Sequence, residues 1–464
     1  MRDRAPILPR VLSRAAALAW AIALLMLDSS GCASPGQRDP LPVAEFDPAD
    51  TASIAPARWP GFPLLPDGRF PIAGWCAPPV AQTTDARYAE YARAGFTVVL
   101  PALEDPYLPA PNLARLEVAG RRGLYVIVRD ERLYPGVAQR PGWRAATDTI
   151  VATYSAHPAL LGYFLADEPG PDFFGPLAAV TRRLAMRDPR HPAHINLYGE
   201  GPVGYEIQGL SYSAYLRRFM ESVRPGFFSL SNYVLKQDGT DIPTFCSGWD
   251  SARTAAGEVP FWAILLVIPH GPYREPTEAE LAWQANLALA HGARGIVWFT
   301  YWSPNPAEPL RYRGGPIAYD GSRNPSYDSV ARVNAWIGAL GRELAPLRCA
   351  DVRHTGELPR GGGRLDPDPA AGSTFGLAQR GEGNLTFGLF LASDGRRHVL
   401  VVNRDYRNPT QARIVSEAGW ERWTGEPGRY RTSDTASDPL MIRLEPGGAA
   451  LLRAAGPEPK STPR

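Results

Sequence analysis

The stretch Gly162-Tyr163-Phe164-Leu165-Ala166-Asp167-Glu168-Pro169 decides how this sequence is interpreted. Its apolar run has the length of one buried strand, and the strand must stop at Pro169 because proline has no backbone N–H for a sheet ladder. Two carboxylates therefore stand at the carboxyl end of a predicted strand. In parallel α/β barrels the acid and base groups lie at that end, so Asp167 and Glu168 are the first candidate catalytic residues. The alternative is a strand whose exit loop happens to be acidic.

Short apolar runs alternate with amphipathic segments on both sides of this strand, which is typical of βαβ units. The predicted strands are 72–76, 97–101, 124–128, 162–165, 194–197, 227–230, 261–267 and 295–300. The predicted helices are 85–94, 113–121, 143–155, 175–186, 213–223, 251–256, 277–291 and 327–344. Eight strand–helix pairs in about 280 residues is the count and size of a (β/α)8 TIM barrel, which we place at residues 69–348.

The chain changes character after the predicted barrel. Residues 350–374 hold many glycines and prolines and are predicted to form a loop. Short, partly alternating apolar runs follow, separated by turn signals such as Ser393-Asp394-Gly395. The clearest of these predicted strands are 385–390, 398–403, 412–416 and 449–453. We therefore predict a small antiparallel β-sandwich over residues 375–455.

The N-terminus has the order of a secretory signal. Four arginines within the first 14 residues precede an apolar run at 15–27, and small residues lead to Cys32. These small residues resemble a bacterial lipobox, although Ser29 stands where the pattern prefers leucine. The run is shorter than the roughly 20 residues of a membrane span. We expect residues 1–31 to be a signal peptide, Cys32 to be acylated and residues 32–68 to be a linker. The protein would then be an exported cell-envelope lipoprotein on the periplasmic or outer-membrane face, or a secreted protein without acylation.

Composition excludes several classes of function. With 49 basic and 47 acidic residues the net charge is +2, which gives no reason to expect nucleic acid as a partner. The membrane is expected as a partner only through the lipid anchor. The seven histidines include no pair at the i, i+4 spacing of a zinc helix, and the cysteines have no metal-ligand spacing. No phosphate-binding or dinucleotide motif is present. We therefore predict neither a metal nor a cofactor.

The predicted strand ends bring carboxylates and aromatic rings to one face of the barrel. Glycoside hydrolysis needs one carboxyl group as proton donor and a second as nucleophile or base, and flat rings suit the apolar faces of sugars. Ordinary core packing is the alternative for the aromatic residues. The predicted sugar-binding residues are Trp75, Asn196, Tyr198, Asn232, Tyr233, Tyr301 and Trp302. The other polar groups at the strand ends are Glu104, Asp105, Arg129, Asp130, Glu131, His270 and Asp320.

The barrel with Asp167-Glu168-Pro169 closing its fourth strand resembles the clan A glycoside hydrolases, in a poorly characterised bacterial branch. The segments 273–277 and 292–302 carry the same resemblance. In that clan the fourth strand ends in an Asn-Glu pair, so the resemblance implies that Glu168 is the acid/base. Asp167 stands in the place of the asparagine. The resemblance also implies an oligosaccharide or polysaccharide substrate.

The sequence departs from the clan at the seventh strand, whose end at 267–270 carries no carboxylate. Glu278 and Glu280 are expected to cap the following helix. Glu275 in the preceding loop and Asp130 after the third strand remain candidates for the second catalytic carboxylate. Three hypotheses follow: an exported glycoside hydrolase, a non-catalytic carbohydrate-binding barrel, and a surface lipoprotein that acts as a scaffold for a protein partner.

Overall fold

A closed barrel of eight parallel strands forms the larger part of the molecule. The computed structural model describes residues 54–101, 108–133, 138, 140–201, 206–368, 375–416, 419–432 and 439–455. Each barrel strand pairs with its neighbours in chain order, and the first strand pairs with the eighth through Ile72 opposite Ile296, which closes the barrel. The strands are β1 Ile72–Gly74, β2 Val98–Val99, β3 Tyr125–Arg129, β4 Leu160–Asp167, β5 Ala193–Leu197, β6 Phe228–Ser231, β7 Phe261–Leu266 and β8 Ile296–Phe299.

One α-helix follows each barrel strand and packs on the outside. The helices are α1 Asp85–Arg93, α2 Pro109–Arg121, α3 Trp143–Tyr154, α4 Phe174–Arg187, α5 Tyr212–Val223, α6 Phe245–Ala256, α7 Glu278–Ala290 and α8 Ser326–Leu344. Glu280 forms a capping box with Thr277 at the start of α7, and Glu278 pairs with Arg332 at 2.6 Å. The prediction that Glu280 caps this helix is confirmed, whereas Glu278 lies in the first turn and pairs with Arg332 of α8.

Two helices begin earlier than predicted. Helix α2 starts at Pro109, because the first helical position needs no backbone N–H and tolerates proline. Helix α6 continues through Gly248, a poor helix former. A Cβ atom at Gly248 would lie 2.9 Å from Asn232 Nδ2, so packing against β6 accounts for this glycine.

The N-terminal segment closes the bottom of the barrel. Trp59 is 3% exposed, and its ring centroid lies 5.3 Å from that of Phe227 and 6.2 Å from that of Trp262, both inside the barrel. Leu65 is fully buried in the same cluster. The prediction that residues 32–68 are a linker is therefore wrong for the described part from residue 54. A tryptophan that fills the barrel floor removes a large apolar surface from water, and this burial holds the segment in place.

The C-terminal part is an antiparallel β domain of two sheets. The strands are β9 Arg348–His354, β10 Leu377–Gln379, β11 Leu385–Leu391, β12 Arg397–Asn403, β13 Thr410–Ser416, β14 Trp420–Trp423, β15 Tyr430–Thr432, β16 Leu440–Leu444 and β17 Ala449–Ala454. One sheet has the strand order β10–β13–β16, and the other has the order β15–β14–β17–β12–β11–β9. Strand β9 corrects two predictions, the loop at 350–374 and the start of the sandwich at 375. Its pairing with β11 supplies the strand with backbone partners.

The β domain packs against helices α7 and α8 of the barrel. Asn286 Nδ2 donates to Gly447 O at 3.0 Å, and the Trp336 and Trp423 ring centroids lie 5.5 Å apart. Tyr406 of the β domain donates to Oδ2 of Asp241 in the barrel at 2.9 Å, although the two residues are far apart in the sequence. Apolar residues of both parts belong to one continuous core. No helix among the described residues is long and apolar enough to cross a lipid bilayer.

Candidate active site

Asp167 and Glu168 stand where β4 leaves the barrel. Asp167 is the last residue of the strand, and the Glu168 N–H donates to Asn196 O at 2.8 Å. Glu168 has φ +49°, the left-handed region that side chains other than glycine rarely adopt. Such a conformation costs about 1–3 kcal/mol and is typical of functional sites. Pro169 then ends the strand, as the sequence predicts.

A directed chain of hydrogen bonds runs from the barrel interior to Asp167. Ser229 Oγ donates to Asn196 Oδ1 at 3.0 Å, and the Asn196 Nδ2 group donates to Asp167 Oδ1 at 2.7 Å and to Ser231 Oγ at 3.1 Å. His194 Nε2 lies 2.8 Å from Ser229 Oγ. Since the Ser229 proton goes to Asn196, His194 must donate through Nε2. The protons from His194 through Ser229 and Asn196 thus point toward Asp167, and the hydrogen bond from Asn196 favours the ionised form of this carboxyl group.

The two carboxyl groups respond differently to their surroundings. Burial raises the pKa of Asp167 above its usual range, against a weaker lowering by the hydrogen bond from Asn196 and the charge of Arg129. Burial, and then the neighbouring Asp167 and the more distant Glu206, raise the pKa of Glu168 to about 8, against a weaker lowering by the Ser231 hydroxyl. Of the pair, Asp167 therefore ionises first and Glu168 keeps its proton near neutral pH.

The ends of β6, β7 and β8 supply an aromatic wall. The Tyr233 ring centroid lies 5.4 Å from both His270 and Tyr273 and 5.5 Å from Phe299. Tyr312 stacks on His270 at 5.6 Å. Burial raises the pKa of Tyr233 and of Tyr273, and the charge of Glu168 raises it further. Both rings therefore lie near the carboxyl pair.

His270 is a neutral member of this wall. Burial lowers its pKa to about 4, and its Nδ1 lies 2.8 Å from Ile268 O. A carbonyl oxygen only accepts, so Nδ1 carries the proton and Nε2 is left as a hydrogen-bond acceptor.

Two further predicted residues border the same region. Tyr198 follows β5, and its pKa is raised by burial and next by the charge of Glu168. Trp75 follows β1, is 4% exposed and meets Phe164 at 5.6 Å and Phe299 at 6.4 Å. Trp75 therefore lies beneath the aromatic wall. Among the predicted residues, the structure brings together Asp167, Glu168, Asn196, Tyr198, Tyr233 and Trp75.

Several solved structures that resemble this chain are described as glycoside hydrolases or β-galactosidases. A family 5 enzyme from Bacteroides vulgatus has a TM-score of 0.53 and 10% identity, over 83% of this chain and 89% of its own. A β-galactosidase from Rahnella gives 0.54 and 9%, over 83% and 98%. A catalytic mutant of a family 42 β-galactosidase from G. stearothermophilus gives 0.54 and 8%, over 83% and 99%. This chain shares the (β/α)8 barrel fold of these proteins.

Sequence comparison adds nothing to this likeness. No protein-family profile matches the chain, and no curated protein sequence matches it either. At identities of 8–10% the solved structures establish the fold alone. The identity of the catalytic groups must come from the site itself.

Three predicted sugar-binding residues have structural roles instead. Tyr301 is fully buried between Tyr91 at 4.6 Å and Phe96 at 5.2 Å, in the layer between barrel and helices. Trp302 is 5% exposed and packs under the guanidinium of Arg87 at 5.2 Å. Asn232 Nδ2 donates to Phe245 O at 3.0 Å and so holds the start of α6. The prediction that these three residues line the pocket is not supported by their contacts.

The two candidates for the second carboxylate have different surroundings. Asp130 is 1% exposed, pairs with Arg132 at 2.8 Å through both of its oxygens and accepts from Tyr154 at 2.8 Å. Glu275 is exposed in the loop before α7, near Gly314. The charges that raise the pKa of Glu168, after burial, are those of Asp167 and Glu206.

The remaining predicted groups divide between exposed and undescribed positions. Asp320 is exposed and bonds to its own turn through Ser322 at 2.6 Å. Glu131 is also exposed. Glu104, Asp105 and Cys32 lie outside the described residues. The described end of β7, residues 267–270, carries no carboxylate, as the sequence indicates.

The sequence analysis missed Ser229, Ser231, His194 and Glu206. A signal was present for the first two, because polar residues at i and i+2 of a buried strand share one face and must find partners. His194 has the same signal, two residues before Asn196 on β5. Glu206 carried none, since its approach to Glu168 depends on the course of the loop after β5.

Proposed function

We propose that this protein is a glycosidase in which Glu168 is the general acid. The observation that carries the proposal is the pair of carboxyl groups at the end of β4. Burial and the neighbouring Asp167 raise the pKa of Glu168 to about 8, so this carboxyl group keeps its proton near neutral pH. A neutral carboxyl group beside an ionised one is the arrangement that protonates a glycosidic oxygen and stabilises the positive charge that develops on the sugar.

The surrounding groups support particular tasks. Glu168 would donate its proton to the leaving oxygen as the bond from that oxygen to the anomeric carbon breaks. Asp167, whose ionised form is favoured by Asn196 and Arg129 against the effect of burial, would accept hydrogen bonds from a sugar hydroxyl or from the attacking water. Tyr233 and Tyr273 would pack against the ring face. An oligosaccharide or polysaccharide is therefore the proposed substrate class, and none of these steps needs a cofactor.

The second catalytic carboxylate is proposed to be Asp167 or Glu206, because theirs are the charges that act on Glu168. Asp167→Asn and Glu206→Gln separate the two. The true partner should lose activity on all substrates, since the second group acts at the sugar and not at the leaving group. The other variant should keep most of the turnover rate.

Glu168→Gln tests the proposal directly. We expect a loss of about 10²–10⁴-fold in kcat/KM on glycosides with poor leaving groups, and a far smaller loss on activated aryl glycosides, which need little protonation. Glu258→Gln is the matched control, because Glu258 is exposed and precedes β7, at the end of the barrel opposite Glu168. Equal losses on both kinds of substrate would remove Glu168 from the acid role.

A carbohydrate-binding protein without catalysis is the second candidate function. It is favoured by the end of β7, where residues 267–270 offer no nucleophile. Isothermal titration with a panel of oligosaccharides distinguishes the two. Binding that leaves the sugar intact in the wild type, and is equal in Glu168→Gln, would support the second candidate.

We also propose that the protein is exported and acylated at Cys32. The support is the order of basic, apolar and small residues before this cysteine. Mass spectrometry of the mature N-terminus should find diacylglycerol on Cys32. An unmodified terminus at another residue would indicate a secreted protein, and an intact Met1 would contradict export.

A further inference from the structure

Three ligand-type side chains converge at the junction of the barrel and the β domain. Asp250 lies in α6, His291 directly follows α7, and His354 ends β9. One ligand atom of each lies within 4.8 Å of the others, and His291 Nε2 is 4.0 Å from Asp250 Oδ2. Helix α7 runs from the carboxyl end of β7 back toward the barrel floor, so His291 lies at the end opposite Glu168.

The two imidazoles are buried with one nitrogen each left over. Both rings are fully buried, and neither Nε2 atom has a hydrogen-bond partner among the residues that the structure describes. The Nδ1 atoms are engaged, in His291 with Leu287 O at 2.7 Å and in His354 with Thr386 Oγ1 at 3.0 Å. A buried polar atom without a partner costs about 1–3 kcal/mol, so two such atoms facing one carboxylate call for an occupant.

We propose that Asp250, His291 and His354 bind a structural Zn²⁺ ion, with a water molecule as fourth ligand. Two neutral imidazoles and a carboxylate form a donor set that suits zinc better than magnesium or calcium. Both rings offer the free Nε2 atom to the same space, and a histidine binds a metal through such a nitrogen. The carbonyl that holds His291 Nδ1 directs Nε2 toward the ion, as outer hydrogen bonds do in known sites.

The geometry needs a modest contraction. Ligand atoms around tetrahedral zinc lie roughly 3.3 Å apart when the bond lengths are about 2.0–2.1 Å. Asp250 supplies the movement, because its side chain is 27% exposed while both histidines are fixed. Its other oxygen is 3.3 Å from Arg253 Nη2, and Oδ2 faces His291.

Nearby cations limit which ion can bind. The guanidinium of Arg404 lowers the pKa of both histidines, but it donates to Thr355 O at 2.7 Å, outside the ligand set. Such positive charge disfavours weakly held ions, so a metal with strong affinity for imidazole is required. The ion would join α6, α7 and β9, three segments distant in the chain.

The test uses the full-length mature protein without a polyhistidine tag, stripped of metal by a chelator. Titration with Zn²⁺ against a chromophoric chelator should give one site per chain and a higher Tm, because a ligand that binds only the folded state stabilises it. Asp250→Asn should lower the affinity by about tenfold or more and His354→Gln should abolish the site. Asp250→Asn keeps the side-chain volume, and the position is partly exposed, so we expect this variant to fold like the wild type.

Asp351→Asn is the matched control. Asp351 lies on β9, three residues before His354, and pairs with Arg353 at 2.7 Å outside the cluster. It should bind Zn²⁺ like the wild type. The absence of saturable binding, equal affinity in Asp250→Asn, or a loss of binding in Asp167→Asn instead would each overturn the proposal.

Discussion

Glu168 combines two unfavourable features, a left-handed backbone and a buried carboxyl group beside a second acid. Each feature lowers the stability of the folded state, so favourable interactions elsewhere in the fold must offset both. The hydrogen-bond chain from His194 to Asp167 is part of that support, because it satisfies one of the two acids and leaves the proton on the other. The division of roles between adjacent carboxyl groups thus depends on residues of β5 and β6.

Stability should depend on pH through Glu168. Its pKa rises from 4.5 in the unfolded chain to about 8 in the fold, so the folded state binds the extra proton between these values. Stability is therefore highest at low pH within this window, and the contribution of Glu168 is lost as the pH rises toward 8, by at most about 1.4 kcal/mol per pH unit.

Glu168→Gln should remove this slope. Urea unfolding from pH 5 to 8 would give the free energy of both proteins, and the variant should gain on the wild type as the pH rises. Parallel curves for the two proteins would mean that Glu168 titrates alike in the folded and unfolded states.

At this scale the sequence predicted the carboxyl pair, Asn196, Tyr198 and Tyr233 as neighbours, because strand ends of a parallel barrel meet on one face. It failed for Tyr301 and Trp302. Both residues follow the eighth strand, as predicted. Successive side chains there point alternately into the barrel and toward the helix layer, so an error of one residue reverses the predicted side-chain direction.

At the scale of the element, β3 and α3 are joined through Asp130. The carboxylate ties Arg132 of the following turn to Tyr154 of the helix. We expect Asp130→Asn to destabilise the fold by about 1–3 kcal/mol, since it weakens a buried charge-assisted network. Denaturant unfolding measures this loss, and activity per folded molecule should be unchanged.

Asp148→Asn is the comparison for this experiment. Asp148 pairs with Arg183 on the outside of the helices, with both partners partly exposed, and such pairs contribute about 0–1 kcal/mol. A collapse of activity in Asp130→Asn with normal stability would return Asp130 to the list of catalytic bases.

The order of the barrel elements followed from local periodicity. All eight strands and eight helices were predicted, because each alternation is visible within one short window. Strand β9 was not, since its partner β11 lies about thirty residues further and the intervening glycines and prolines resemble a loop. The cluster of Asp250, His291 and His354 was missed for the same reason, as its members come from three distant segments.

At the scale of the whole molecule, Trp59 joins the start of the described chain to the barrel floor. Trp59→Ala should cost about 3–5 kcal/mol in the free energy of unfolding, because it opens a cavity among Phe227 and Trp262. Trp59→Phe should cost less, as it keeps an aromatic ring there. An unchanged Tm for Trp59→Ala would show that the segment is a dispensable linker after all.

The position of this segment has a consequence for how the protein would stand on a membrane. An acyl chain on Cys32 would enter the bilayer roughly twenty residues before the floor segment, which limits the tether to about 70 Å when fully extended. Because this tether would join the fold at the barrel floor, the mouth at the opposite end would stay clear of the anchor. A large polymer in the surrounding medium could then still reach Asp167 and Glu168.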